Sequence, residues 1–294
     1  MSDEARLLGS ALEPVTGHVY FSPECHEAYA ALGFSPSPAS AGAVALPDGP
    51  AYFTSRGSCM GQVPGQVVAS AFAVFNPAAV VPAVDYGWTL TDAPTIAAAR
   101  TDGAIAQLVR VLGEEPDGIG RAIDLLQRAN EPLRPEGRPL YAGLLSLGLP
   151  GNAMGDFWRL GDMLREYRGD AHTAAWTSGG FDATEIGLLT ELYWGLPSRS
   201  YVRTRAWSDD DLDAAEERLR SRGLLDEGAL SESGRRDREA VEVATDLQSQ
   251  PIVRALGSDL DELVAIITPW GAAMRAAGGY LPSGPHDLAS AQAR

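Results

Sequence analysis

Apolar positions recur along most of this chain at intervals of three and four residues, the spacing that gathers them on one face of a helix. Between Thr95 and Leu112 they fall at Ile96, Ala99, Gly103, Ile105, Leu108, Val109 and Leu112, and Gly113 stops the run. The stretch from Ile119 to Asn130 has the same amphipathic spacing. Residues 3–33 read as two short helices joined at Gly17–Phe21, the second opening on Ser22 as N-cap with Pro23 in its first turn. Residues 35–50 turn to Ser, Pro, Ala and Gly and predict a loop. An apolar run from Gln66 to Phe75 follows, and Asn76 caps a helix that starts at Pro77. Further helices are expected from about Arg138-Pro139 and over residues 156–167. A break at Gly169 is then expected, with Asp170 capping a new helix.

The pattern changes near Gly179. Asp182 with Glu185 forms a capping box that opens one helix. Ser208 caps a second, DDDLDAAEERLRSRG, whose apolar stripe is Leu212, Ala215 and Leu219 and whose stop is Gly223. A turn at Asp226–Gly228 then separates two short apolar pairs, and Ser231 caps a long helix to about Gln250. Helix, helix, short two-stranded turn, helix is the order of a winged helix with a very short wing. The expected fold is therefore mainly α. It divides into a helical ligand-pocket domain (residues 1–178), a winged-helix-like domain (179–255) and a C-terminal packing or dimerisation helix with its tail (256–294).

The phrase GLLDEGALSESGRRDRE resembles the end of the winged-helix unit in MarR-type regulators, a likeness covering about residues 182–250. A wider likeness is carried by YFSPECHEAYAALGF, AYFTSRGSCMGQVPGQVVASAFAVFNPAAV, GRPLYA and LREYRGDAHTAA. Together these resemble an actinobacterial family of SCO-type proteins labelled helix-turn-helix family. The resemblance implies an architecture and leaves the activity open.

Composition narrows the chemistry. All 23 basic residues among the 294 are arginine, so Schiff-base, Walker-loop and kinase-type lysine chemistry are excluded. A net charge of -16 opposes general polyanion binding, which depends on basic residues displacing counterions. The helix after Ser208 places Asp209, Asp210, Asp211, Asp213, Glu216 and Glu217 where a recognition helix presents base-reading side chains, which disfavours DNA as a partner. Arg199, Arg203 and Arg205 before it, and Arg235, Arg236 and Arg238 after the wing, are the groups able to reach phosphate. No apolar run reaches the ~18 residues of a membrane helix. The N-terminus lacks the layout of a signal peptide, so a cytoplasmic protein with no membrane partner is expected. Cys25 and Cys59, the two cysteines, read as free thiols. No metal-ligand spacing and no cofactor motif occurs, so no metal and no cofactor are expected.

Two clusters carry candidate chemistry. Around Arg165-Glu166-Tyr167-Arg168-Gly169-Asp170-Ala171-His172, the expected helix start would keep His172 neutral as a general base. Asp170 would orient it, and Arg168 and Arg165 would hold an anion. Arg–Asp pairing at a helix corner explains the same residues without catalysis. The second cluster, Tyr52–Gly61, reads as an irregular loop lining a small-molecule pocket through Arg56 and Met60, with His18, Tyr20, Phe72, Phe75 and Asn76 as further walls. Aromatic core packing is its structural alternative. The leading functional reading is a cofactor-independent acid–base enzyme, of cyclisation, isomerisation or lyase type, acting on a small organic ligand in a specialised pathway. The alternative is a ligand-responsive, MarR-like transcriptional regulator, and a dimeric interaction module without ligand is the third.

Overall fold

The computed structural model describes residues 2–281, so the tail of the expected third segment lies outside the described residues. The fold is mainly α. Its first helices are α1 (Ser2–Thr16) and α2 (Pro23–Ala31), joined by a 3-10 turn over Gly17–Phe21. Ser22 caps α2 by accepting from the Cys25 N–H at 3.2 Å. Within the expected 35–50 loop lies a short antiparallel hairpin, β1 (Ser40–Ala41) with β2 (Val44–Ala45), paired Ser40 to Ala45 and Ala41 to Val44.

The Tyr52–Gly61 segment is not an irregular loop. It forms α3 (Gly49–Gly57) followed by a 3-10 turn over Ser58–Met60, with Asp48 capping the Ala51 N–H. Its small residues permit close helix packing instead of marking a loop: a Cβ on Gly57 would lie 3.0 Å from both methyl carbons of Val68. Next come α4 (Gly65–Ala71), α5 (Pro77–Leu90), α6 (Ala93–Leu112), α7 (Ile119–Asn130) and α8 (Pro139–Leu147).

A single helix, α9 (Ala153–Ser178), runs through the expected break at Gly169. Glycine inside a helix costs about 1 kcal/mol relative to alanine. The buried side chains on either side of it, Trp158, Leu164 and Tyr167 before and Ala171, Ala175 and Trp176 after, outweigh that cost. Asp170 is not a cap of its own helix, because its carboxylate accepts the Leu140 and Tyr141 N–H groups at the start of α8, at 3.1 and 3.0 Å.

The C-terminal part follows the expected order. α10 (Ala183–Tyr193) opens on the Asp182–Glu185 capping box, and α11 (Asp209–Ser221) on a Ser208–Asp211 box. β3 (Leu225–Asp226) and β4 (Ala229–Leu230) pair across Glu227 and Gly228, both at positive φ, the geometry of a tight two-residue hairpin. α12 (Glu232–Leu256) and α13 (Leu260–Ala276) complete the described chain. Between α10 and α11 lies a long connector with a 3-10 turn over Val202–Arg205, where a compact helix-turn-helix has three or four residues.

Two apolar clusters hold the molecule. The larger takes α1 to α9, the end of α12 and α13, and its fully buried members include Trp158, Tyr141, Phe157 and Leu125. The smaller unites Trp176, Ile186, Leu189, Val202, Leu212, Leu219 and Val241. α13 packs on α1, where Gly271 lets Pro14 approach. Among the described residues no helix is long and apolar enough to cross a membrane.

Candidate functional site

A cleft of about 310 Å³ opens where α1, α9, α12 and the 202–205 turn meet. Its apolar walls are Leu8 and Leu12 from α1, Leu164 from α9, and Ile252 and Val253 from α12. Arg165 and Arg168, three residues apart on α9, project into it beside Arg56 from α3 and Arg205 from the connector. Its volume is at the lower end of small-molecule sites, roughly 300–1,000 Å³.

Three of these four guanidiniums are already matched. Arg56 grips the buried Glu166 bidentately, Nε to Oε1 at 3.0 Å and Nη2 to Oε2 at 2.8 Å. Arg165 donates to the same Oε1 at 2.8 Å and to Glu13 at 2.9 Å, and Tyr20 donates its hydroxyl to Glu166 at 3.2 Å. Burial alone would raise the Glu166 carboxyl, but the charges of Arg56 and Arg165 overcome it and hold it at about 2. Arg168 donates to Glu242 at 3.1 Å and Asp246 at 3.3 Å, both on α12. Arg205 differs. Its guanidinium carbon sits 4.7 Å from the Phe75 ring centre and 4.5 Å from that of Tyr201, with no carboxylate partner among the described residues.

The proposed catalytic set of His172, Asp170 and Arg168 does not converge. Arg168 lines the cleft. His172 faces α12, where Thr245 gives its own proton to the Val241 carbonyl and so accepts from His172 Nδ1–H at 3.1 Å. The imidazole is neutral, as expected, but through burial and not a helix start, which pushes it down to about 3. Asp170 points to the α8 start beside a separate shallow groove with Thr173 and Thr177, and burial raises its carboxyl to about 7. Two positions along a helix, 170 and 172 cannot share a face with each other as 168 and 172 do.

Of the expected pocket walls, Arg56 and Arg165 line the cleft. Phe75 supports Arg205 from behind, and Asn76 ties down the backbone next to it, donating its side chain to the Ala206 carbonyl at 3.1 Å. Tyr20 and Phe72 stand behind the Arg56–Glu166 pair, with Arg56 4.5 Å over the Phe72 ring. His18 is buried elsewhere, against Gln107 at 2.5 Å, and Met60 ends the turn after α3; neither lines the cleft. Cys25 and Cys59 are buried thiols pushed up to about 11 and 12 by burial, so neither is a ready nucleophile. Nothing in the local sequence marks Tyr201, Ile252 and Val253 as cleft wall, because no local pattern distinguishes a cleft wall from core.

The outward side of α11 carries Asp210, Asp213 and Glu217. Of the arginines able to reach phosphate, Arg199 is bound to Asp213 and Glu216, Arg203 to Asp209, and the buried Arg238 to Glu242. Exposed Arg220, Arg222 and Arg236, around the end of α11 and the start of α12, pair with Glu217, Glu185 and Asp237. Arg235 has no carboxylate partner among the described residues.

No curated protein and no solved structure matches the chain. A sequence model described as "Helix-turn-helix family" matches residues 5–282, taking in the cleft-bearing helices together with the α10–α12 unit. The chain belongs to the helix-turn-helix family.

Proposed function

We propose that the protein is a ligand-responsive, winged-helix DNA-binding regulator of the MarR-like kind, with the arginine-bearing cleft as its effector site. The observation that carries this reading is the position of α12. Its first turn supports the wing, with Gly234 so close to Leu224 that a Cβ would lie 2.1 Å from the carbonyl oxygen. Its last turns supply Ser249, Ile252 and Val253 to the cleft. Within this second stretch Pro251 has no N–H to return to the preceding turn, which removes one hydrogen bond from the helix beside the cleft. The family membership supports the same reading.

The acidic face of α11 sets how DNA is met. Its carboxylates repel phosphate, so contact falls to the unpaired Arg235 and to Arg236, whose exposed pair with its neighbour Asp237 phosphate can displace. Selection of duplexes from a randomised library, followed by fluorescence anisotropy at rising salt, tests this. The expected result is binding at low salt with a negative log–log slope, reduced by roughly two phosphate contacts in R235E/R236E. Absence of any selected duplex would overturn it. That same acidic face favours a second reading, in which the winged unit is a scaffold and the protein acts on or carries its small ligand without DNA. Ligand binding with no duplex selected would support it.

A further inference from the structure

Arg205 is held in place before any ligand arrives. The Asn76 N–H donates to the Arg205 carbonyl at 2.9 Å, the Asn76 amide to Ala206, and Trp207 Nε1 to the Val74 carbonyl at 3.0 Å. The rings of Phe75 and Tyr201 lie against its guanidinium, which leaves the in-plane N–H groups as its route to a partner. A fixed planar fork with no carboxylate partner among the described residues matches a carboxylate. The other three arginines of the cleft are compensated by Glu13, Glu166, Glu242 and Asp246.

From this geometry we infer that the cleft binds an apolar organic monocarboxylate, with Arg205 as the receptor of its carboxyl group. The inference rests on the reading of the cleft as an effector site and names the class of effector. Leu8, Leu12, Leu164, Ile252 and Val253 accommodate the apolar body. Arg56, Arg165 and Arg168 are occupied by the carboxylates they pair with, so Arg205 offers a single fork, which suits a monoanion over a dicarboxylate or a phosphate dianion. Arg205 stands three residues before Ser208, the N-cap of α11, so the carboxylate is gripped by the segment that sets that helix.

Calorimetric titration of the full chain with 2-naphthoate, octanoate, 2-naphthamide and inorganic phosphate tests the inference without DNA, so its failure is separable from failure of DNA binding. The acids are expected to bind at least about 10-fold tighter than the amide and than phosphate. Arg205→Gln should weaken 2-naphthoate by roughly 10- to 100-fold and leave 2-naphthamide within about 2-fold, with Arg205→Lys in between. The acid-to-amide ratio of the unmodified protein stands even if the variant folds poorly. Equal binding of acid and amide, phosphate binding as tightly as the acids, no binding of either acid, or an Arg205→Gln variant that keeps its affinity would each overturn the inference.

Discussion

Asp170 shows what burial does to a single group that sequence inspection offers as chemistry. It is 5% exposed, accepts two backbone N–H groups of α8, and has a carboxyl raised to about 7 by burial. A folded-state value above the unfolded one means the folded protein holds this proton more tightly. The stability it contributes is complete below about pH 4 and is lost as pH rises through about 7. Asp170→Asn keeps an acceptor oxygen and removes the titration. The urea stability of the natural protein relative to this variant should therefore fall by on the order of 1–3 kcal/mol between pH 4 and 8. A constant difference would contradict the assignment. His18 and His172 run the other way, since burial lowers them to about 4 and 3 and their cost grows as pH falls below 6.5. Because both proteins carry them, they cancel in the comparison. Local chemistry of this scale was partly legible: Ser22, Asn76, Asp182 and Ser208 are caps because the signal lies within three residues. The role of Arg205 was not, because it depends on Phe75 and Tyr201 from distant parts of the chain.

Among the elements, two differences from the sequence pattern share a cause. Gly169 in α9 and the Gly- and Ser-rich Tyr52–Gly61 segment carry residues that favour turns, yet Gly169 is helical and the segment is helix followed by a 3-10 turn, because their flanks are buried. Propensity is a weak prior that tertiary packing overrides. Gly103 gives the opposite lesson. It falls on the apolar face of α6, where the spacing alone treats it as an ordinary small residue. A Cβ there would lie 2.6 Å from Cys25 Sγ and 2.7 Å from its Cα and backbone nitrogen, so α2 and α6 touch at the backbone. Gly103→Ala gains up to about 1 kcal/mol of helix propensity. It forces apart two packed backbones, so a net destabilisation of roughly 1–3 kcal/mol is expected in urea unfolding. A stabilised variant would show that the helices part without cost.

For the molecule as a whole, two apolar clusters meet along α9 and α12, and the cleft lies where the connector and α12 reach the larger one. The order of the α10–α12 unit was legible because caps and turn residues mark each boundary. The cleft was not, because it is assembled from α1, α3, α9, the connector and α12, which the chain separates widely. On the proposed function, occupancy of this cleft and DNA contact by the winged unit share one equilibrium. Linkage requires each ligand to change the affinity of the other by the same factor. The direct measurement is the affinity of a selected duplex, by anisotropy at fixed low salt, with and without saturating 2-naphthoate, for the natural protein and Arg205→Gln. A shift of roughly 5- to 150-fold is expected in the natural protein and is lost in the variant. An affinity unchanged by 2-naphthoate, or no duplex binding under any condition, would contradict it.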